Sequence, residues 1–339
     1  MVRWAMIGAG RVNSQMASGI HRANNAQLVG VFSRTPEATA QFALDHEIST
    51  IYPTLDDLLA DDGVDVVYVA SPNSTHRDHV IAVAAAGKHV LCEKPMSNMV
   101  ADCLEMIAAC DNAHVVLGIA FQYRQHPAHR AIRELVTGGD LGIAVFADAA
   151  VHVPPLVVPK WYFDQSVAVG GVVPMAGVHR IDLLRFVLNS EISVVQSVMR
   201  RRNPDRPFED TVAAILEFES GAIATVRFAL DVMSAGDGVT VQGTTGWASA
   251  IRTTSQWWAS DGGELASSLD GETNSTVFPK QDLYRFQVEE FSGAVKGDNE
   301  FSATGQDGLR SVEAADALFT AAQGALAVRT NCISTEDMS

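Results

Sequence analysis

Through the first ~120 residues, short apolar runs alternate with stretches whose apolar positions recur at helical spacing. The pattern predicts strands at residues 3 to 7, 27 to 32, 64 to 70, 88 to 92 and 114 to 119, with helices near 11 to 23, 35 to 45, 54 to 61, 74 to 86 and 98 to 111. A strand buried on both faces reads as a continuous apolar run, and such runs alternating with helices make parallel βαβ units. The expected architecture is therefore a doubly wound α/β sheet.

Beyond about residue 122 the pattern changes. A helix over 127 to 137 precedes alternating runs at 142 to 153, 192 to 201, 211 to 219, 222 to 231, 238 to 243 and 246 to 250. Turn signals such as Glu219-Ser220-Gly221 separate them, which predicts a large, mostly antiparallel sheet in an α+β domain. Helices near 280 to 297 and 305 to 327 close the chain, and the polar stretch Asp261 to Thr276 is expected to be a mobile loop. At 339 residues the chain exceeds what one core usually holds, so we expect two domains, 1–122 and 123–339.

Charge narrows the function. A formal net charge of -16 disfavours a nucleic-acid partner, which requires a basic face. The four cysteines form no CxxC pair, so a reduced, cytoplasmic compartment is expected. No apolar run approaches the ~18 residues of a membrane span and no targeting segment is evident, so we expect a soluble protein.

Three segments carry chemistry. The first strand runs into Gly8-Ala9-Gly10-Arg11-Val12-Asn13, two glycines that permit a tight turn and close approach of backbone N–H groups to a pyrophosphate. Asn13 stands where a third glycine would help helix and strand pack. The second strand ends in Ser33-Arg34 with no acid to accept from a ribose 2′-OH. Arg34 can pair with a 2′-phosphate and Ser33 can donate to it, so NADP(H) is expected over NAD(H). In Gly87-Lys88-His89-Val90-Leu91-Cys92-Glu93-Lys94-Pro95, Lys94 falls at the end of a buried strand, where desolvation lowers its pKa toward useful acid/base range and Glu93 can orient it. The third segment, Gly170 to Leu184, contains His179 and, three residues on, Asp182. His126 and His129 lack nearby acids or cysteines, and no metal site is expected. His152 falls on a strand of the second sheet and is open to either a structural or a substrate-facing role.

Together with Ser71-Pro72-Asn73-Ser74-Thr75-His76, these segments resemble the glucose-fructose oxidoreductase, inositol dehydrogenase and MocA family (Gfo/Idh/MocA) of nicotinamide-dependent sugar and polyol dehydrogenases. The resemblance covers nearly the whole chain, through the closing segment from Ser302 to Gly324. It implies a Rossmann domain followed by a substrate-binding domain. Ser71, Pro72, Asn73 and His76 would lie along the cofactor, and Lys94 and His179 would be catalytic. The family usually carries Asp four residues before the histidine, where this chain has Met175. Without that Asp the relay is shortened to Lys94 and His179. Tyr123, Arg124, Met175 and Asp182 are expected to line the substrate side, along with Trp161, which with Tyr162 replaces a cofactor-facing arginine. The run Gly171 to Asn189, with Pro154-Pro155, is similar to an NADPH-dependent anhydrofructose reductase subgroup.

The resulting expectation is an NADP(H)-dependent oxidoreductase interconverting a secondary hydroxyl and a carbonyl on a sugar, polyol or related ring. Two alternatives remain: a cofactor-binding regulator on the same fold, which Met175 favours, and a lyase or glycosidase using transient oxidation. Face-to-face pairing of the second sheet is expected to give a dimer or tetramer.

Overall fold

The computed structural model describes residues 1–154, 170–232, 237–253 and 262–324. The first sheet is parallel throughout, with strands β1 (Val2–Ile7), β2 (Ala26–Phe32), β3 (Thr50–Ile51), β4 (Val66–Val69), β5 (His89–Cys92) and β6 (Leu117–Ile119) in the order β3-β2-β1-β4-β5-β6. Helices α1 (Arg11–Arg22), α2 (Pro36–Asp45), α3 (Leu55–Leu59), α4 (His76–Ala85) and α5 (Val100–Ala113) form the crossovers. Strand order reverses between β1 and β4, so the loops leaving their C-terminal ends diverge and open a crevice. The glycine turn leaves β1 and the Ser71 loop leaves β4, which puts both at that crevice. In this sheet only β3 lacks a counterpart in the sequence reading. Two residues long and partly exposed, it carries no apolar run to detect.

After α6 (Pro127–Thr137), strand β7 (Ala144–Val153) enters the second sheet. Helix α7 (Val178–Leu188) follows, with every residue buried, and then β8 (Ile192–Arg200), β9 (Thr211–Phe218), β10 (Ile223–Leu230), β11 (Gly238–Gly243) and β12 (Gly246–Ile251). The order is β14-β13-β12-β11-β7-β10-β9-β8, antiparallel except where β10 runs parallel to β7. Strands β13 (Glu264–Leu269) and β14 (Glu272–Val277) correct the expectation of a mobile loop. They form an edge hairpin turned by Asp270 and Gly271, both at positive φ. At the sheet edge neither strand covers the core, so their Ser, Thr and Glu residues never had to alternate with apolar ones. Asp261 lies outside the described residues.

Helices α8 (Leu283–Lys296) and α9 (Gly305–Gly324) return to the first sheet. Tyr284, Val288 and Phe291 join the core that contains Trp4, Met16 and Ile20, and the Trp4 indole donates to the Ser292 hydroxyl at 3.1 Å. That core therefore draws chain from both sides of residue 122. The second core lies between α7, α9 and the inner face of the eight-stranded sheet. The outer face of that sheet exposes Phe146, Val194, Val198, Ile215 and Ile223. Among the described residues no helix is long and apolar enough to cross a membrane.

Candidate active site

A cleft of about 620 Å³ runs from the ends of β1, β2, β4 and β5 to the first turn of α7 and the end of β7. One end is built on the glycine turn. Gly8 has φ +112°, and a Cβ there would meet the Ala70 carbonyl oxygen at 2.6 Å, so only glycine lets β1 turn this close to the neighbouring loop. Asn13 supplies what the missing third glycine does not: its Nδ2 donates to the Gly8 carbonyl (3.0 Å) and its Oδ1 accepts from the Gly10 N–H (3.2 Å). Fully buried, it fastens the turn to the first turn of α1. The α1 N-terminus has no side-chain cap, and Gly8, Gly10, Arg11 and Val12 line the cleft beside it. Uncapped N–H groups, a helix dipole and a turn too tight for a side chain fit a dinucleotide pyrophosphate.

Ser33 and Arg34 line the same end, next to Thr35, and no Asp or Glu from the end of β2 joins them. Ser71, Pro72 and Asn73 line its middle. His76 does not reach the cleft. It is completely buried, and its ring nitrogens lie 3.1 Å from the Pro95 carbonyl and 3.0 Å from the Ser71 carbonyl, so it joins the two loops from behind. His79, one helical turn later, does line the cleft, with Nδ1 2.8 Å from the Ser71 hydroxyl.

At the inner end, β5 delivers Glu93 and Lys94, and the Lys94–Pro95 peptide is cis. Lys94 Nζ donates to the main-chain carbonyl of Met175 at 2.7 Å. Burial lowers the lysine pKa, while the neighbouring Glu93 pulls it upward. Glu93 accepts from the Tyr68 hydroxyl (2.5 Å) and from the Lys94 backbone N–H (3.1 Å), so it orients Lys94 through the main chain. Burial pushes the Glu93 carboxyl up.

His179 enters from the first turn of α7, its ring 4.7 Å from that of Tyr123. Burial, then the charges of Lys94 and Arg180, drive its pKa well below the ordinary value, so the ring is neutral at physiological pH. Its Nδ1 is buried with no hydrogen-bonding partner among the described residues, consistent with Met175 standing where an acid would fix the tautomer. Tyr123 lines the cleft, and burial pushes its phenol up to about 12.

Two expected substrate contacts are corrected. Asp182 is three residues from His179, but α7 is enclosed on all sides and Asp182 faces away from the cleft, toward Arg124. Arg124 Nε donates to Asp182 at 2.9 Å, Nη2 donates to Asp307 at 2.8 Å, and both Arg124 and Asp182 are almost fully buried. Neither lines the cleft. They tie α7 to the segment entering α6 and to the start of α9. Trp161 lies outside the described residues. His126 caps α6, accepting from the Ala128 N–H at Nδ1, and His129 bridges the Tyr123 carbonyl and Thr253 hydroxyl.

The sequence reading missed Gln122, Arg180, Asp237 and Tyr284, which all line the cleft. Arg180 adjoins His179 in the third segment, and that adjacency is its local signal. Asp237 and Tyr284 have no local signature.

The buried histidines set an acid limit on stability. Burial lowers the pKa of His126, His129 and His179 below 6.5 in the folded state. Below that value the unfolded chain binds protons that the native state refuses, so stability falls with pH. The denaturant midpoint should drop between about pH 7.5 and about pH 5, and an unchanged midpoint would refute neutral burial of these rings.

Comparison with known proteins agrees with this geometry. The profile described as an oxidoreductase family with an NAD-binding Rossmann fold matches residues 2–121, and the C-terminal domain profile of the GFO/IDH/MocA proteins matches residues 129–249. A 1,5-anhydro-D-fructose reductase of Ensifer adhaerens is 34% identical over 325 residues, 95% of this chain and 96% of the relative. A D-xylose 1-dehydrogenase (NADP(+)) of Haloferax volcanii is 29% identical over 309 residues, covering 91% and 93%. Among solved structures, an aldose-aldose oxidoreductase from Caulobacter crescentus, complexed with glycerol, superposes with a TM-score of 0.87 at 27% identity over 97% of this chain and 99% of that one. With a glycine turn at the switch point, a lysine and a histidine converging across one cleft, and matches along almost its whole length, the chain belongs to the Gfo/Idh/MocA family of NAD(P)-dependent oxidoreductases.

Proposed function

We propose that the enzyme interconverts a secondary hydroxyl and a carbonyl on a neutral sugar, polyol or related ring, using NADP(H). The observation that carries this reading is the convergence of Lys94 and His179 in the cleft that also holds the glycine turn. A nicotinamide dinucleotide bound there supplies or accepts the hydride. Lys94, its pKa lowered by burial, takes the hydroxyl proton at Nζ in oxidation and returns it in reduction. Neutral His179 hydrogen-bonds the reacting oxygen, and the Tyr123 ring packs against the imidazole in a T-shaped arrangement. The names of the relatives support a sugar substrate.

Turnover of 1,5-anhydro-D-fructose with NADPH and of D-xylose with NADP+ tests the reading through nicotinamide absorbance and product analysis. Net absorbance change supports it. Product without such change supports the transient-oxidation alternative, and cofactor binding without product supports a regulator.

The NADP(H) preference rests on Arg34 and Ser33 at the far end of the cleft and on the absence of an acid beside them, and the NADP(+) named for the xylose dehydrogenase is consistent with it. A charged hydrogen bond contributes ~1.5–3 kcal/mol, so Arg34→Ala should cut the NADPH-to-NADH ratio of kcat/KM about tenfold or more. An NADH preference in the parent, or an unmoved ratio in the variant, would refute it.

The exposed apolar residues on the outer face of the second sheet support a homo-oligomer joined through that face, which a single-chain mass in solution would refute. Cys92, Cys103 and Cys110 are free and buried, which supports a reducing, cytoplasmic compartment.

A further inference from the structure

One charged pair in the cleft has no role in hydride or proton transfer. Arg180 reaches from α7 to the second sheet, where its Nε donates to the Ala150 carbonyl of β7 at 2.8 Å and its Nη2 pairs with Asp237 Oδ1 at 2.5 Å. The guanidinium lies 5.5 Å from the centre of the Tyr123 ring, and that ring is 4.7 Å from His179. Arg180 and Asp237 thus sit one side chain away from the proposed reacting centre, and both line the same cleft. Their exposures differ. Arg180 is 1% exposed and serves as a buried anchor, whereas Asp237 is 9% exposed and, like His179, is part of the cleft lining.

Resting on the sugar reading above, we propose that Asp237, positioned by Arg180, accepts a hydrogen bond from a substrate hydroxyl and makes the cleft select neutral sugars and polyols over their carboxylate-bearing counterparts. Burying an ion pair is costly, and a pair that served packing alone could be replaced by apolar residues at little loss. Placed in a cleft wall, the carboxylate gains a use: a hydroxyl donating to an ionised acceptor makes a stronger bond than one donating to a neutral group. The charge balance sets the selectivity. At the inner end Arg180 is committed to Asp237, while the Lys94 ammonium donates to the Met175 carbonyl and, in the reaction proposed above, serves the reacting oxygen. Neighbouring His152 on β7 has its pKa lowered first by burial and then by Arg227, so it adds no charge at neutral pH. Arg34 lies at the opposite, cofactor end. A substrate carboxylate beside Asp237 would meet its negative charge with Arg180 already committed to that partner, while a hydroxyl there would be a welcome donor.

D-glucose and D-glucuronate differ only at C6, where a hydroxymethyl becomes a carboxylate, and their affinities for the NADPH-loaded protein can be measured by calorimetry without turnover. The parent should bind glucose at least about tenfold more tightly, because like charges set against each other in a binding site are strongly disfavoured. Asp237→Asn keeps the shape, removes the charge, and should collapse that ratio about tenfold or more; Asp237→Glu restores the charge and should restore the preference. A parent that binds glucuronate as well as glucose, a ratio unmoved by Asp237→Asn, or binding of neither sugar would overturn the proposal. Turnover separates this from the reading beneath it. Hydride transfer with a neutral sugar alongside an unmoved ratio sinks only the role of Asp237, whereas no turnover with any sugar sinks the sugar reading itself.

Discussion

Replacing Lys94 with alanine is expected to lower kcat/KM by about 10²–10⁴ while leaving NADPH affinity within a few fold, because a positioned proton-transfer group typically contributes that much. The two effects separate because the residues lie at different ends of one cleft. The proposed pyrophosphate cradle consists of Gly8, Gly10 and the first turn of α1, fastened by Asn13, and none of these touches the Lys94 ammonium, which is held by the Met175 carbonyl. Lys94→Arg should fail almost as badly, since a guanidinium does not give up its proton at any working pH. Kinetics in both directions, with cofactor binding followed by fluorescence, check the expectation. Near-parental turnover in the alanine variant would make Lys94 structural and would leave His179 without a partner in proton transfer.

The largest effect on stability should come from Arg124→Met, at about 3–5 kcal/mol, the usual cost of stranding the partner of a buried ion pair. Arg124 serves Asp182, Asp307 and the Ser302 carbonyl at once. With the guanidinium gone, two carboxyls face each other in a buried setting, near Arg185, whose guanidinium also bonds Glu191. In the parent, burial already pushes Asp182 up while Arg124 pulls it down, and Asp307 is held below its ordinary value chiefly by Arg124. The variant loses that pull, so the folded-state pKa of Asp182 rises further above its unfolded value. A raised carboxyl pKa favours the native state only where the group is protonated, so the deficit should shrink as pH falls and be largest at neutral pH. Chemical denaturation at two pH values tests both points. A loss under about 1 kcal/mol, or one independent of pH, would show that the network contributes little.

These two residues also mark where sequence reading worked and where it stopped. The place of Lys94 in the cleft was legible because it follows from local facts: a buried run, a strand end, a flanking acid and proline. Gly8 was legible for the same reason, since a turn this tight restricts its own residues. Arg124 was misplaced because it stands beside Tyr123, and one reaches the cleft while the other points behind it; the side on which a side chain emerges depends on tertiary packing. Asp182 shows the same limit from the helix side. Spacing of i, i+3 puts two residues on neighbouring parts of one face, but α7 is surrounded, and neighbouring parts of its surface meet different partners. Arg180 and Asp237 are a pair separated by 57 positions, and nothing local announces them. The hairpin β13–β14 was hidden by composition: an edge pair that covers no core has no reason to alternate apolar and polar residues.

The return of α8 to the first sheet bears on how the chain acquires its structure during synthesis. Trp4, in β1, waits for Ser292, 288 positions later, before its indole is satisfied. Until α8 arrives, the groove against α1 that Tyr284 and Phe291 fill stands open. There Gly19 admits the Tyr284 backbone so closely that a Cβ on it would fall 2.9 Å from the Tyr284 carbonyl carbon. The nucleotide-binding half is thus finished by a segment translated long after its own strands, and a nascent chain that ends before α8 exposes an apolar groove that invites chaperones or aggregation. Contacts of such long sequence separation are slow to close, which makes the docking of α8 the natural last step of folding. Loss of the C-terminal helices would accordingly damage cofactor binding, though they contribute no residue to the pyrophosphate cradle.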